Sequence, residues 1–351
     1  MAKKINGSVT GLGYYYDEEI FNRTYTSEKD PTSTVLIESG VMVEDSEIAN
    51  MISGGGNFYT LPFYTDINGN YVNYDGNTDI TLDEVDAAGQ QHGVVWGRAK
   101  GWTDRDFVAD FSSADPMRNI LNRIQKWEAK KRQTLLISIL EAIFGITSAT
   151  AGTYEYEWAN QHISNIASAT STITDANKIS LTSLRDLAVK ANGDAADDYA
   201  LAIMHSQVAN RLSQFNVLEF FKYNDANGQE RDVKVGRSGN MLVLICDEVP
   251  HSVNATSGAM EYTTYCFGRG TIGYAKAPVD HPTEQFRNQT KKGGMDCLTT
   301  KFRETILPYG FSFSMQNLPV SPADSDLATT ANWSIVYQPK NIYLAKLVSN
   351  G

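Results

Sequence analysis

Residues 114–145, ADPMRNILNRIQKWEAKKRQTLLISILEAIFG, are the stretch on which the reading of the fold turns. Met117, Ile120, Leu121, Ile124, Trp127, Leu135, Ile139 and Ile143 recur at intervals of three and four, so one apolar stripe runs along a helix. Asp115 is a suitable N-cap, and Pro116 fits the first helical position, where its missing N–H costs nothing. Gly145 is placed to end the helix as a C′ residue. A helix over 116–144 is about 43 Å long at 1.5 Å per residue. Globular helices average about 11–12 residues, so this one reads as a structural spine. A long buried helix in an enzyme is the other reading, and this segment alone leaves it open.

On the N-terminal side the chain changes character. FYTLPFYTDI (58–67) is rich in aromatic and β-branched residues and reads as a strand. VVWGRAKGW (94–102) reads as the strand that returns. Between them Asn68-Gly69 and Asp75-Gly76 are strong turn dipeptides, which makes 51–104 a long β-hairpin. The same tip resembles a calcium loop, with Asp75, Asn77, Asp79, Thr81, Asp83 and Asp86 at positions 1, 3, 5, 7, 9 and 12. Ile80 stands where such a loop needs glycine, and Asp86 where it needs a bidentate glutamate. The hairpin reading is therefore preferred. Residues 1–50 are polar and tyrosine-rich. They read as an extended arm whose few apolar residues (Val35, Leu36, Ile37) pack on something else.

On the C-terminal side helices alternate with strands. Helices are expected near 180–191 and 206–216. YALAIMHS (199–206) is expected to be a buried strand running into the second helix, with Ser206 as its cap. Met241–Ile245 is a further apolar strand, and 260–277 holds two more. This pattern points to a compact α/β module. EQFRNQTKKGGMDCLTTKFRETILPYGFSFSM (284–315) reads as a second long hairpin, and two strands near the C-terminus return to an earlier sheet. The overall class is α+β.

The formal charge is −11, from 30 basic and 41 acidic residues. That argues against a surface gripping nucleic-acid phosphates, which needs clustered Lys and Arg. Cys246, Cys266 and Cys297 are widely spaced with no CxxC, so thiols are expected rather than a zinc site or a disulfide framework. His92, His162, His205, His251 and His281 are scattered. No GxxxxGK[ST] exists, and GRGTIG (268–273) lies between apparent strands rather than before a helix. His205-Ser206 are adjacent without a GxSxG elbow. The acidic runs Asp17-Glu18-Glu19 and Asp197-Asp198 read as solvated surface. No catalytic, cofactor-binding or metal-binding residue is nominated. No signal peptide and no membrane span are expected.

Four stretches carry a resemblance: AKGWTDRDFVADFSSADPMRNILNRIQKWEAKKRQTLLISIL (99–140), YALAIMHSQVANRL (199–212), MLVLICDEVP (241–250) and FRETILPYGFSFS (302–314). In their order and spacing they resemble the major capsid proteins of tailed bacteriophages, which have the Hong Kong 97-type fold. The resemblance covers most of the chain from about residue 50. It implies an N-terminal arm (1–50), an E-loop hairpin (51–104), a P-domain with spine helix and linker (105–175), an A-domain (176–278), the long P-domain hairpin (279–313) and return strands of the A-domain (314–351). It further implies a structural protein of the virion and no enzyme. Such a subunit self-assembles into pentamers and hexamers of an icosahedral shell around double-stranded DNA that it does not bind specifically. A scaffolding protein, a portal and decoration proteins are the implied partners, and the bacterial cytoplasm is the implied place of assembly. Encapsulin-type shells share the fold and remain an alternative, as does, from another class, a soluble β-rich hydrolase. Calorimetric titration of the chain with Ca²⁺ is expected to give no heat of binding; a saturable signal would restore the calcium loop.

Overall fold

The computed structural model describes residues 41–64, 70–77, 79, 89–105, 116–215, 219–224, 230–238, 241–291 and 293–350. The expected cap Asp115, the apolar trio Val35–Ile37 and most of the hairpin tip lie outside them. The chain divides into two compact units. Among the described residues, the smaller comprises 99–126 and 281–301, and the larger takes the rest.

The larger unit is built around an eight-stranded sheet. Its strands are β5 (Ile163–Asn165), β6 (Tyr199–Met204), β7 (Glu219–Asn224), β8 (Glu230–Ser238), β9 (Met241–Ile245), β10 (His251–Val253), β11 (Met260–Gly268) and β17 (Leu344–Ser349). They lie in the order β5-β17-β11-β6-β9-β8-β7, with β10 added beside β11. At the centre β6 runs parallel to β9 and antiparallel to β11. YALAIM and MLVLI are almost uninterrupted apolar runs because both faces of these strands are covered. Alternation assigns Leu201, Ile203, Leu244, Tyr265, Phe267 and Leu344 to one core. Ala202, Met204, Val243, Cys266, Ala345 and Leu347 join the other.

The spine helix α2 (Pro116–Phe144) has the predicted bounds. Its C-terminal half covers the first face. Leu135, Leu136, Ile137, Ile139, Leu140, Ala142, Ile143 and Phe144 are all buried there, so the predicted narrow stripe widens to most of the circumference. The Phe144 ring lies 5.2 Å from Trp158 and 5.5 Å from Tyr265. Trp158 belongs to the short helix α3 (Tyr154–Gln161). The opposite face is covered by α4 (Ser183–Asn192), through Leu184, Leu187, Ala188 and Ala191, and by α5 (Ser206–Gln214), through Val208, Ala209 and Leu212. The result is a three-layer sandwich, helix on sheet on helix.

Several local expectations change. Gly145 is not left-handed; it is absent from the positive-φ glycines. A Cβ there would sit 2.6 Å from Thr330 Oγ1, so close approach is what requires glycine. The cap of α5 is His205, whose side chain accepts from the Gln207 N–H, and Ser206 is the first helical residue. The end of the expected arm is ordered structure. β1 (Met42–Glu44) pairs in parallel with β12 (Ile272–Ala277), and α1 (Ser46–Ser53) straddles residue 50 with Ile48 and Ile52 buried. Asp45 caps α1 by accepting from Glu47 N at 2.8 Å, and its other carboxylate oxygen accepts from the Tyr309 hydroxyl. These anchors are side-chain bonds formed late in sequence, which the polar composition does not advertise.

The strand returning to β2 (Phe58–Phe63) is β3 (Gly89–Val94), not 94–102. Most of VVWGRAKGW forms the next strand, β4 (Trp96–Arg105). GQQHGV has little β-propensity. It pairs because a Cβ at Gly89 or Gly93 would fall within 2.1 Å of the Phe63 ring or 2.2 Å of the Tyr59 ring, so the aromatic rings of β2 lie over bare backbone.

The predicted second hairpin is present as β13 (Thr283–Asn288) and β14 (Met295–Pro308). In the smaller unit they pair from Thr283↔Thr300 to Asn288↔Met295. In the larger unit β14 continues against β12 from Ala277↔Arg303 to Ile272↔Pro308. The tail strand β16 (Trp333–Ile335) pairs with β15 (Phe311–Phe313), and β17 enters the large sheet.

One buried ion pair ties α2 to these strands. Glu304, 3% exposed, accepts from Arg132 Nε at 2.8 Å, and the Arg132 Nη2 is also 2.8 Å from the same oxygen. The Tyr274 hydroxyl donates to that oxygen at 2.9 Å, and the guanidinium lies 5.2 Å from the Tyr274 ring centre. Arg132→Met is expected to cost about 3–5 kcal/mol, because Glu304 is left as a buried charge without its counter-ion. The double variant Arg132→Met, Glu304→Met should recover most of that loss in urea denaturation.

His162 is fully buried, stacks on Trp158 at 4.5 Å and donates Nδ1–H to Leu344 O at 2.7 Å. Burial pushes its pKa down from 6.5 to about 4, against the opposing pull of the Leu344 carbonyl. The folded value is depressed, so the unfolded chain binds the proton first. The stability is present above pH 6.5 and is lost as pH falls towards 4, to about 3 kcal/mol. A His162→Phe variant should show a shallower fall in urea midpoint across that window than the wild type. Parallel slopes would contradict the assignment.

Candidate functional site

The most distinctive surface is the β2–β3 hairpin. Its base is held by polar contacts to the larger unit. Tyr59 Oη and Thr305 Oγ1 are 2.9 Å apart, and Thr305 Oγ1 donates to Val94 O at 2.8 Å. Gln91 is 1% exposed, and its Nε2 donates to Pro308 O at 2.9 Å and Phe311 O at 2.8 Å. His92 N donates to Ser312 Oγ at 3.0 Å. These bonds give buried polar groups of the ribbon and of the 305–312 segment their partners. Beyond the base the chemistry reverses. Tyr64, Tyr71 and Tyr74 are 84%, 106% and 92% exposed. Exposed tyrosines offer large, stiff, amphipathic contact area, the kind enriched where proteins meet.

The calcium reading gains no support from this geometry. Asp75 Oδ1 accepts from Asn77 N at 2.8 Å, and Gly76 has φ +77°, which makes an Asx-type turn. Thr81, Asp83 and Asp86 lie outside the described residues. Among the described residues no cluster of three or more His, Cys, Asp or Glu side chains is arranged to hold a metal.

His205, Ser206 and Asp247 do converge. Ser206 Oγ lies 3.5 Å from His205 Nδ1, and His205 Nε2 lies 3.7 Å from Asp247 Oδ1. Both separations are long for proton transfer. Nδ1 already accepts the Gln207 N–H at 3.2 Å, and Asp247 Oδ1 accepts the Ser206 N–H at 3.1 Å. The set therefore caps a helix rather than activating a nucleophile. GRGTIG is a strand turn between β11 and β12, with Gly270 at φ +64°. The three cysteines are buried thiols, and burial raises the pKa of Cys266 to about 12.

A cleft of about 610 Å³ lies between α2, β10, β11 and β17. Glu141, Glu248, Glu261 and Lys346 contribute its charges, and His251 also lines it. Two of the carboxylates serve the fold: Glu248 accepts from Gln133 Nε2 at 3.0 Å, and Glu261 from Asn254 Nδ2 at 2.6 Å. Burial lowers the pKa of Lys346, with Glu141 opposing. The cleft is polar and mixed in sign. No helix among the described residues is long and apolar enough to cross a membrane.

Sequence reasoning missed the anchors Gln91, His92 and Thr305. The signal was available in the run Gln90-Gln91-His92, polar residues inside a strand that must pack, but the partners lie more than 200 positions away.

No protein-family model matches the chain. Over 331 residues it is 25% identical to the major capsid protein of Bacillus phage SPP1, an alignment that covers 93% of this chain and 94% of that one. The capsid of Ralstonia phage GP4 superimposes with a TM-score of 0.56 at 10% identity, over 89% of this chain and 87% of that one. The capsid of the empty GTA particle gives 0.52 at 12% identity, over 99% and 96%. The structural matches establish a shared α+β fold.

Proposed function

We propose that this chain is the major capsid protein of a tailed double-stranded DNA bacteriophage, a structural protein that assembles with itself into a closed icosahedral shell. The observation that carries this reading is colinearity: the match to the SPP1 major capsid protein runs through nearly the whole of both chains. An alignment that spans 93% of one chain and 94% of the other relates the two along their whole length and not through one shared segment.

The finer assignment is Hong Kong 97-type. The hairpin of 51–104 is the E-loop, and its exposed Tyr64, Tyr71 and Tyr74 suit a surface that lies over a neighbouring subunit. The helix from Pro116 and the hairpin of 279–313 form the P-domain; the first part of that helix and residues 281–301 of that hairpin fall in one compact unit. The segments 176–278 and 314–351, which supply most strands of the large sheet and the helices of one face, are the A-domain. The arm is the part of residues 1–50 that precedes the strand at Met42. Pentamers and hexamers close the shell with a scaffold and a portal, and decoration proteins bind its outside. The net charge of −11 keeps the wall from adhering to the packaged DNA. The chain resides in the virion after assembly in the host cytoplasm. The phage origin of the aligned relative favours DNA cargo over the enzyme cargo of an encapsulin.

Electron microscopy of the purified chain, made alone and with the products of neighbouring reading frames, is expected to show closed shells. Discrete monomers or small oligomers under both conditions would overturn the proposal. Deleting Asp66–Asn77 should leave a folded subunit that assembles poorly, and shells of undiminished yield and stability would contradict the intersubunit role of the hairpin.

A further inference from the structure

Helix α5 begins on a histidine, and the cap depends on the protonation state of that histidine. His205 Nδ1 accepts the Gln207 N–H at 3.2 Å. A ring nitrogen accepts only while it carries no proton. The bond therefore holds His205 neutral, with its proton on Nε2, the nitrogen 3.7 Å from Asp247 Oδ1. Four groups surround the ring. Asp247 faces it from the turn after β9. His251 faces it from β10 with ring centres 5.0 Å apart, and Tyr262 from β11 at 4.8 Å. Ser206 Oγ lies 3.5 Å from Nδ1 on the helix itself. The His251 ring is fixed by an Nδ1–H bond to Val249 O at 3.1 Å.

We propose that His205 is a proton-operated helix cap, through which acidification loosens the junction between β6 and α5. A proton arriving at Nδ1 turns the acceptor into a donor and expels the Gln207 N–H. It also sets an imidazolium at the positive end of the α5 dipole, beside a second imidazole. Asp247 acts in the opposite sense: its carboxylate attracts the imidazolium and already accepts the Ser206 N–H at 3.1 Å. The ring is therefore retained, and the loss is confined to the first turn of the helix. Burial and the neighbouring His251 lower the His205 pKa, with Asp247 opposing. Because the folded value is depressed, the cap is intact above the unfolded pKa and is lost as pH falls through the folded one. The buried Val208, Ala209 and Leu212 carry the disturbance to the second core.

The test compares wild type with His205→Asn, which caps without titrating. Hydrogen exchange of the 205–214 segment, corrected for the chemical rate, is measured on the purified chain in steps from pH 7.5 down to the lowest pH at which both proteins remain folded. Wild-type protection there should fall roughly five- to tenfold relative to the variant, the equivalent of one lost cap. Equal changes in the two proteins would overturn the proposal. Nitrogen NMR of ¹⁵N-histidine-labelled protein at pH 7.5 should place the His205 proton on Nε2; a proton on Nδ1 would also overturn it. Neither readout depends on shell formation.

Discussion

The burial of the C-terminal half of α2 on the large sheet is the constraint from which most of the architecture follows. Eight of its last ten residues are buried, and Phe144 stacks between Trp158 and Tyr265. A helix this apolar must be covered on most of its circumference, at about 1.5–3 kcal/mol for each large side chain removed from water. The sheet supplies one wall. Phe311, Phe313, Trp333 and Ile335 of the small β15–β16 ribbon belong to the same core. Because β15 follows β14 directly, covering the helix also determines where β14 ends.

Polar side chains then fix what apolar burial leaves free. Hydrophobic contact is non-directional, whereas the Arg132–Glu304–Tyr274 cluster sets one position of α2 along β12 and β14. Asp45, Tyr59, Gln91 and Thr305 do the same for α1 and the base of the first hairpin. The hairpin is thus rigid where it leaves the body and open to solvent in its tyrosines.

The described elements differ in how far they could be read from the sequence. YALAIM and MLVLI announce themselves because a strand covered on both faces has no polar alternation to confuse with anything else. The bounds of α2 were legible because proline at its start and glycine at its end punctuate a strong period. GQQHGV was not legible as a strand, because its stability comes from the rings of Phe63 and Tyr59 lying over Gly89 and Gly93, and a propensity belongs to one segment at a time. His205 was placed at a strand-to-helix junction, but its capping role needed the position of the Gln207 N–H.

By itself the sequence determined the presence and bounds of the spine helix, the buried strands 199–204 and 241–245, and the second hairpin. Those features depend on local periodicity and punctuation, which a single segment contains in full. The tertiary structure alone decided which strands pair, that residues 42–53 are a strand and helix of the larger unit, and that Gly145 is required by Thr330 rather than by a left-handed turn. It also decided that Glu304, in a strand, meets a cation on the spine helix. Each of these is a contact between residues distant in sequence, and its energy exists only once two separately legible elements have met.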